Sequence, residues 1–336
     1  MNPPQPASTL SEPSLEPQLS AVARWWLAAR PKTLPAAATP VLVGCACAGA
    51  AGHFAPVPAA AALTGALLLQ IAANFANDVF DFEKGADTAA RLGPVRAVQA
   101  GWISARSMRR ALWLVLALAL LVGIYLVNVA GPLLIAIGLA SIAGAVAYTA
   151  GPYPLGYHGL GDLAVFVFFG VVAVAGTTFV QLGHVTELAW ASSIPVGCLT
   201  TAILVVNNVR DVATDVLANK RTLPVRFGVG FGIAEYHVLL GLAYALPLWL
   251  MWRGQLTLWA LLPWLSLPLA VDLSRRIRRD AGPALNGVLA HTARLLLCFG
   301  VLLSASLLLG ARSSARDAAQ GSLLQAHPAP RSHAAG

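Results

Sequence analysis

The chain has 336 residues, 57% of them hydrophobic and only 11% charged, with a formal net charge of +8. Soluble domains carry about 25% charged residues, so a water-soluble globule of this length is excluded. The apolar residues run in long blocks rather than at amphipathic spacing, the pattern of a multi-spanning membrane protein.

Residues 1–22 are rich in Pro, Ser, Glu and Gln and have no apolar stretch, so they read as a disordered tail rather than a signal peptide. Residues 23–310 form the membrane domain, and 311–336 read as a second tail. Nine apolar segments of roughly spanning length follow one another. They cover 33–52, 59–80, 110–128, 131–150, 161–181, 187–207, 232–252, 256–272 and 285–309, the eighth being the shortest. The expected fold is an all-α bundle of about nine transmembrane helices. Cys45, Cys47, Cys198 and Cys298 all lie in apolar blocks and read as small core residues, giving neither a disulfide framework nor a metal site.

Charge orients the bundle. Seventeen of the 22 basic residues fall in the N-terminal segment and in the loops after spans two, six and eight, against Arg253 alone in the opposite loops. The positive-inside rule places the basic side in the cytoplasm. The net positive charge therefore reports topology and gives no case for nucleic-acid binding. Two basic-side loops, roughly 81–109 and 208–231, are long and dense in charge, Gly and Pro, as functional loops are.

Polar residues gather where these loops leave their helices. Span two ends in Asn74-Phe-Ala-Asn77-Asp78-Val-Phe-Asp81-Phe-Glu-Lys84-Gly85-Ala-Asp87. On a helix Asn74, Asp78 and Asp81 share a face, and Asn77 and Asp81 form an i, i+4 pair. Carboxylates packed this closely repel unless a cation sits among them, and hard oxygen ligands suit Mg²⁺ held together with substrate phosphates. Span six ends in Asn207-Asn208-Val-Arg210-Asp211-Val-Ala-Thr-Asp215, with Asn207, Asp211 and Asp215 again on one face, then Lys220, Arg221 and Arg226. Arg forks and Lys point charges match phosphate oxygens. Both clusters have an Asn-x-x-x-Asp form, which hints at an internal duplication. Solvated helix caps explain one such cluster as readily as a site does, but two with basic partners favour a site. The Arg91-Leu-Gly-Pro-Val-Arg96-Ala-Val-Gln99-Ala-Gly101 loop reads either as a flap over a diphosphate or as an ordinary positive-inside loop. The stretch Tyr148–Tyr157 holds three tyrosines and no charge, and suits an interfacial belt or an aromatic wall for a ligand.

These residues resemble the UbiA superfamily of intramembrane prenyltransferases, which carry an Asn-Asp-x-x-Asp-x-x-x-Asp motif and a later Asp-x-x-x-Asp motif. Asn77-Asp78-x-x-Asp81 is similar to the first and Asp211-x-x-x-Asp215 to the second. Position 85 departs from the pattern, being Gly, and the third Asp falls at Asp87. That Lys-Gly-x-Asp run, with Arg30-Pro-Lys-Thr-Leu-Pro35, the Arg91–Gly101 loop, Gly151–Gly156 and Lys220-Arg221-Thr-Leu, resembles the branch acting on 1,4-dihydroxy-2-naphthoate in menaquinone synthesis. The resemblance implies helices around a central cavity open to lipid, and transfer from a polyprenyl diphosphate to dihydroxynaphthoate with loss of carbon dioxide. It implies Mg²⁺ held by Asn77, Asp78, Asp81, Asp87, Asp211 and Asp215, of which Asp78, Asp81, Asp211 and Asp215 carry catalysis. Asn74, Lys84, Arg91, Arg96, Gln99, Tyr148, Asn207, Arg210, Lys220 and Arg221 are then expected to contact substrate, and Asp87 is a candidate base. A relative using 4-hydroxybenzoate or a tetrapyrrole alcohol is an alternative, as is a lipid or quinone transporter. A carrier needs polar or broken helices near the midplane, whereas these motifs cluster at one face.

Overall fold

A computed structural model describes residues 19–87 and 91–326, with side chains to 310. Residues 1–18 and 327–336, most of the expected N-terminal tail and the end of the C-terminal one, lie outside the described residues. The described regular elements are all helical. A short α1 (Ala21–Ala29) is capped by Ser20 and leads through Pro31–Thr33 into α2 (Pro35–Ala50), with a bend of 51°. Then come α3 (Pro56–Glu83), α4 (Ala105–Ala130) and α5 (Leu133–Ala147). The next span is α6 (Gly161–Val165), a π turn over Phe166–Val172 and α7 (Ala173–Leu182). The chain continues as α8 (Glu187–Leu217), α9 (Leu223–Phe227), α10 (Val229–Trp252), α11 (Leu267–Arg279) and α12 (Leu285–Ala326).

Each expected span coincides with helical structure. Among the described residues six segments are long and apolar enough to cross a bilayer alone, and the bent α1–α2 pair, taken as one span, makes a seventh. Leu133–Ala147 is shorter. The expected 256–272 span is a 3-10 stretch over Leu258–Ser266 running into amphipathic α11. It nevertheless returns the chain to the motif face. Gln255, before it, donates to Glu187 at the start of α8 (2.9 Å), whereas Asn286, after it, bonds Arg210 near the other end of α8 (2.7 Å). The larger rise per residue of the 3-10 stretch makes this traverse about 38 Å long in only 22 residues.

Two helices overrun the hydrocarbon. At 1.5 Å per residue the 31 residues of α8 span about 46 Å and the 28 of α3 about 42 Å, against an apolar core of about 30 Å. Their polar last turns therefore stand at the membrane face without leaving the helix. Both end alike. Gly85 (φ 68°) closes α3, with Ala86 N bonding Asp81 O (2.9 Å), and Asn219 (φ 55°) closes α8, with Lys220 N bonding Asp215 O (2.8 Å). These are paired left-handed caps of Schellman type. The glycine that departs from the family pattern thus has a structural reason: it supplies the left-handed residue that stops α3.

The largest core joins α8, α10 and α12 around Leu199, Tyr236 and Phe299, and a second joins α3 and α4 around Phe75, Met108 and Leu112. Ala97, Val98 and Ile103, in the connection between α3 and α4, are buried in the second core, so this part of the loop is packed rather than free. Small residues let backbones meet, as is usual between membrane helices. A Cβ on Gly170 would lie 2.5 Å from Gly197 Cα and 2.9 Å from Ser193 O. Neither atom can move without displacing α8. Gly170→Leu is therefore expected to lower the thermal midpoint and the folded yield in detergent. Gly123→Leu, where a Cβ meets nothing within 4 Å, should leave both unchanged.

Candidate active site

A cavity of about 540 Å³ runs from the motif face into the bundle. Its polar end is lined by Asn77 and Asp81 of α3, by Asn207, Asn208, Asp211 and Asp215 of α8, and by Arg30, Arg91, Arg96, Lys220 and Tyr157. Its deep end is apolar, with Phe168, Phe169, Val172 and residues of α4 and α5. Leu120, Ile124, Ile135 and Leu139 line it yet are about half exposed, so this end opens toward lipid.

The two motifs meet across the polar end. Asp81, 1% exposed, accepts from Arg96 Nη2 (2.9 Å), Lys220 Nζ (3.1 Å) and Tyr157 Oη (2.7 Å). Asp215 lies within electrostatic reach of Lys220, Asp211 and Asp81. Asp81 and Asp215 occupy equivalent positions, four residues before the left-handed residue that closes each helix, so the likeness of the two motifs extends to the helix ends. Both carboxylates also sit at the negative end of a helix dipole. Like charges in this setting require cations, and here Arg96 and Lys220 supply them. Tyr157 is the hub between these cations: Lys84 and Lys220 lie over its ring at 4.8 and 4.7 Å. Burial, then Asp81, pushes its hydroxyl pKa up, so it stays a donor to that carboxylate.

Other expected residues take different places. Asp87 pairs with Arg91 (2.6 Å) and Arg96 (2.9 Å) and does not line the cavity. Burial pushes its carboxyl up while the two guanidiniums pull it down. Its carboxylate, off the cavity wall, ties Arg91 and Arg96 together through these two ion pairs. Asp78 faces the loop, where Ala97 N and Val98 N donate to it (both 3.1 Å). Asn74 lines the cavity but donates to Ala29 O (2.9 Å) and Thr33 Oγ1 (3.1 Å), bracing the α1–α2 bend. Arg210 is buried among Asp211, Asn207 and Asn286. Lys84 donates to Thr149 O (2.5 Å), and Arg221 is exposed with its backbone N bonded to Tyr157 O (2.8 Å). Gln99, half-buried in the loop, and both of these basic side chains lie off the cavity wall, while Tyr148 lines it.

Among the described residues no three Asp, Glu, His or Cys side chains close around a metal position. That fits a divalent ion completed by substrate phosphate oxygens better than a protein cage. The donor set is all hard oxygen, and Asn77 Oδ1 is buried without a hydrogen-bond partner among the described residues. Arg96 Nη1 is likewise buried and unbonded, a spare cationic donor on the cavity wall.

An acidic and basic head above an apolar cavity open to lipid defines a membrane protein that handles a molecule with an anionic head and a long apolar tail. The chain belongs to the UbiA prenyltransferase family, whose model matches residues 37–287. It is 38% identical over 304 residues to the 1,4-dihydroxy-2-naphthoate octaprenyltransferase of Escherichia coli K12, covering 86% of this chain and 98% of that protein. It is also 38% identical to the enzyme of the same name from Mycobacterium tuberculosis, covering 87% and 99%. The apo structure of a UbiA homolog from Aeropyrum pernix superposes with a TM-score of 0.62 at 15% identity, over 81% of this chain and 97% of that one. A homolog from Archaeoglobus fulgidus bound to GPP and Mg²⁺ gives 0.60 at 15% identity, over 84% and 99%. The fold is thus that of UbiA proteins, and the multi-pass membrane architecture follows.

Proposed function

We propose that the protein transfers a polyprenyl group from its diphosphate to 1,4-dihydroxy-2-naphthoate, releasing carbon dioxide and giving demethylmenaquinone. The observation that carries this reading is the meeting of Asp81, Asp211 and Asp215 with Arg96 and Lys220 at the head of an apolar cavity. The near-full-length relatives named for this reaction support the choice of acceptor.

Asn77, Asp81, Asp211 and Asp215 would hold Mg²⁺, which supplies charge stabilisation to the departing diphosphate. Lys220, Arg91 and Arg96 bind the remaining oxygens, with Arg96 Nη1 free to do so. The allylic C–O bond breaks and its electron pair leaves with the diphosphate. These residues act where that charge develops. The apolar walls keep water from the allylic cation, and Tyr148, on the cavity wall, offers an aromatic ring to it. The ring carbon bearing the carboxylate forms the new C–C bond. Loss of carbon dioxide returns an electron pair to the ring, so no ring proton has to be removed. The proposed location is the inner membrane, and the loop charges support a site that faces the cytoplasm.

Incubating membranes that hold the protein with Mg²⁺, a polyprenyl diphosphate and candidate acceptors tests the assignment, with products identified by mass. Prenylated naphthoquinol lacking the carboxyl group is expected. Prenylated hydroxybenzoate as sole product would overturn the acceptor and leave the prenyl chemistry standing. Transport without any new C–C bond would overturn the enzyme reading.

A reporter fused after Arg312 checks orientation. Nine crossings from a cytoplasmic N-terminus put it outside, and a cytoplasmic signal would remove the 258–279 traverse from the count.

A further inference from the structure

The loop over 91–101 carries Arg91 and Arg96 to the cavity wall, so whatever holds the loop sets the position of both guanidiniums. Three side chains that do not themselves line the cavity hold it. At one end Asp78, 1% exposed, accepts from Ala97 N through Oδ2 and from Val98 N through Oδ1, each at 3.1 Å. At the other end Asn286, on the first turn of α12, donates through Nδ2 to Leu92 O at 3.0 Å. Its Oδ1 accepts from Arg210 Nη1 at 2.7 Å. Arg210, 3% exposed, forks onto Asp211 through Nε (2.8 Å) and Nη2 (2.6 Å). The loop backbone lies directly on that guanidinium: a Cβ at Gly93 would be 2.7 Å from Arg210 Nη2.

We propose that Asp78, Arg210 and Asn286 form a two-point clasp that positions Arg91 and Arg96, and that none of the three is a metal ligand. The inference rests on reading the cavity as a prenyl diphosphate site. Side-chain chemistry fits the roles. Only a carboxamide offers an acceptor to Arg210 and a donor to Leu92 O from one short fork. A carboxylate is suited to take two adjacent backbone N–H groups at once, and Asp78 has no face on the cavity. One residue of each acidic motif region is thereby spent on holding the loop. The clasp also couples the motifs, because Asp211, on the cavity wall, is fixed by the same guanidinium that fixes the loop.

The test uses the full chain in membranes, with Asp78→Asn, Asn286→Ala and Asn286→Asp set beside Asp81→Asn. Three quantities are read: KM for the prenyl diphosphate, the Mg²⁺ concentration giving half-maximal turnover, and the rate of tryptic cleavage after Arg91 and Arg96. The clasp variants should raise KM about tenfold, the scale of one lost buried hydrogen bond. They should leave the Mg²⁺ requirement unchanged and speed cleavage in the loop. Asn286→Asp keeps the acceptor for Arg210 but sets an oxygen against Leu92 O, so it should behave as Asn286→Ala does. Asp81→Asn should raise the Mg²⁺ requirement without speeding cleavage. The proposal is overturned if Asp78→Asn shifts the Mg²⁺ requirement as Asp81→Asn does, or if Asn286→Ala leaves KM and cleavage as in the parent. Should the parent show no prenyl transfer, the functional reading falls, and loop cleavage alone still decides whether the clasp exists.

Discussion

Replacing Asp81 with Asn is expected to lower prenyl transfer by roughly 10²-fold or more, the scale of losing one preorganised electrostatic contact. Asn has nearly the same shape, so the change makes no cavity. It removes the charge to which Arg96, Lys220 and Tyr157 all point. Arg96 keeps Asp87 as a partner, and Lys220 remains partly solvated, so no cation is stranded in the core and the protein should still fold and insert. Asp211→Asn should cost a similar factor, with Arg210 retaining Asn207 and Asn286. Asp272, whose side chain is 58% exposed and 3.8 Å from Arg276, is the control, and Asp272→Asn should change nothing. Asp162 would be a poor control: it is buried and accepts from Asn208 (3.4 Å), which lines the cavity. Near-normal turnover in both Asp81→Asn and Asp211→Asn would show that charge at this position is not what the reaction uses.

Much of this was legible from the chain because lipid leaves so few choices. An apolar block of spanning length must become a helix, and all nine blocks did. Helix ends were less legible. The spans expected to stop at 80 and 207 run on to Glu83 and Leu217, because hydropathy falls where the hydrocarbon ends and a helix need not stop there. The 256–272 segment contains Pro263 and winds as a 3-10 stretch, which apolarity alone does not reveal. In the site, face arithmetic was right about proximity and too coarse about direction. Asp78 and Asp81 differ by about 60° around the axis of α3. That angle separates a side chain bonded to the loop from one on the cavity wall, and only the packing of Ala97 and Val98 against α3 and α4 decides which is which. Asn286 and the hub role of Tyr157 carried no local signal. An Asn at the start of an apolar block reads as a cap, and a tyrosine at a membrane face reads as a belt residue. Their significance comes from partners more than 70 residues away in sequence.

Excess Mg²⁺ is expected to restore part of the turnover lost in Asp215→Asn and none of that lost in Lys220→Ala. Both residues line the cavity at the same helix end, and their positions are fixed together. The cap formed by Asn219 turns the chain so that Lys220 N bonds Asp215 O at 2.8 Å. They differ in what they offer. Asp215 brings a carboxylate within reach of Asp211 and Asp81, an acidic group that a divalent cation would knit together. Losing one of its ligands weakens metal binding, and mass action recovers occupancy when the ion is raised. Lys220 brings an ammonium, 3.1 Å from Asp81 and held over the Tyr157 ring at 4.7 Å. In the proposed role it touches the diphosphate itself, and no concentration of Mg²⁺ replaces a donor fixed at that spot. Its removal also frees Asp81 from one counter-charge, so Mg²⁺ should bind Lys220→Ala at least as well as the parent while turnover stays low. Measuring turnover against Mg²⁺ concentration for both variants separates the two roles. Equal rescue would mean that Lys220 serves the acidic group rather than the diphosphate.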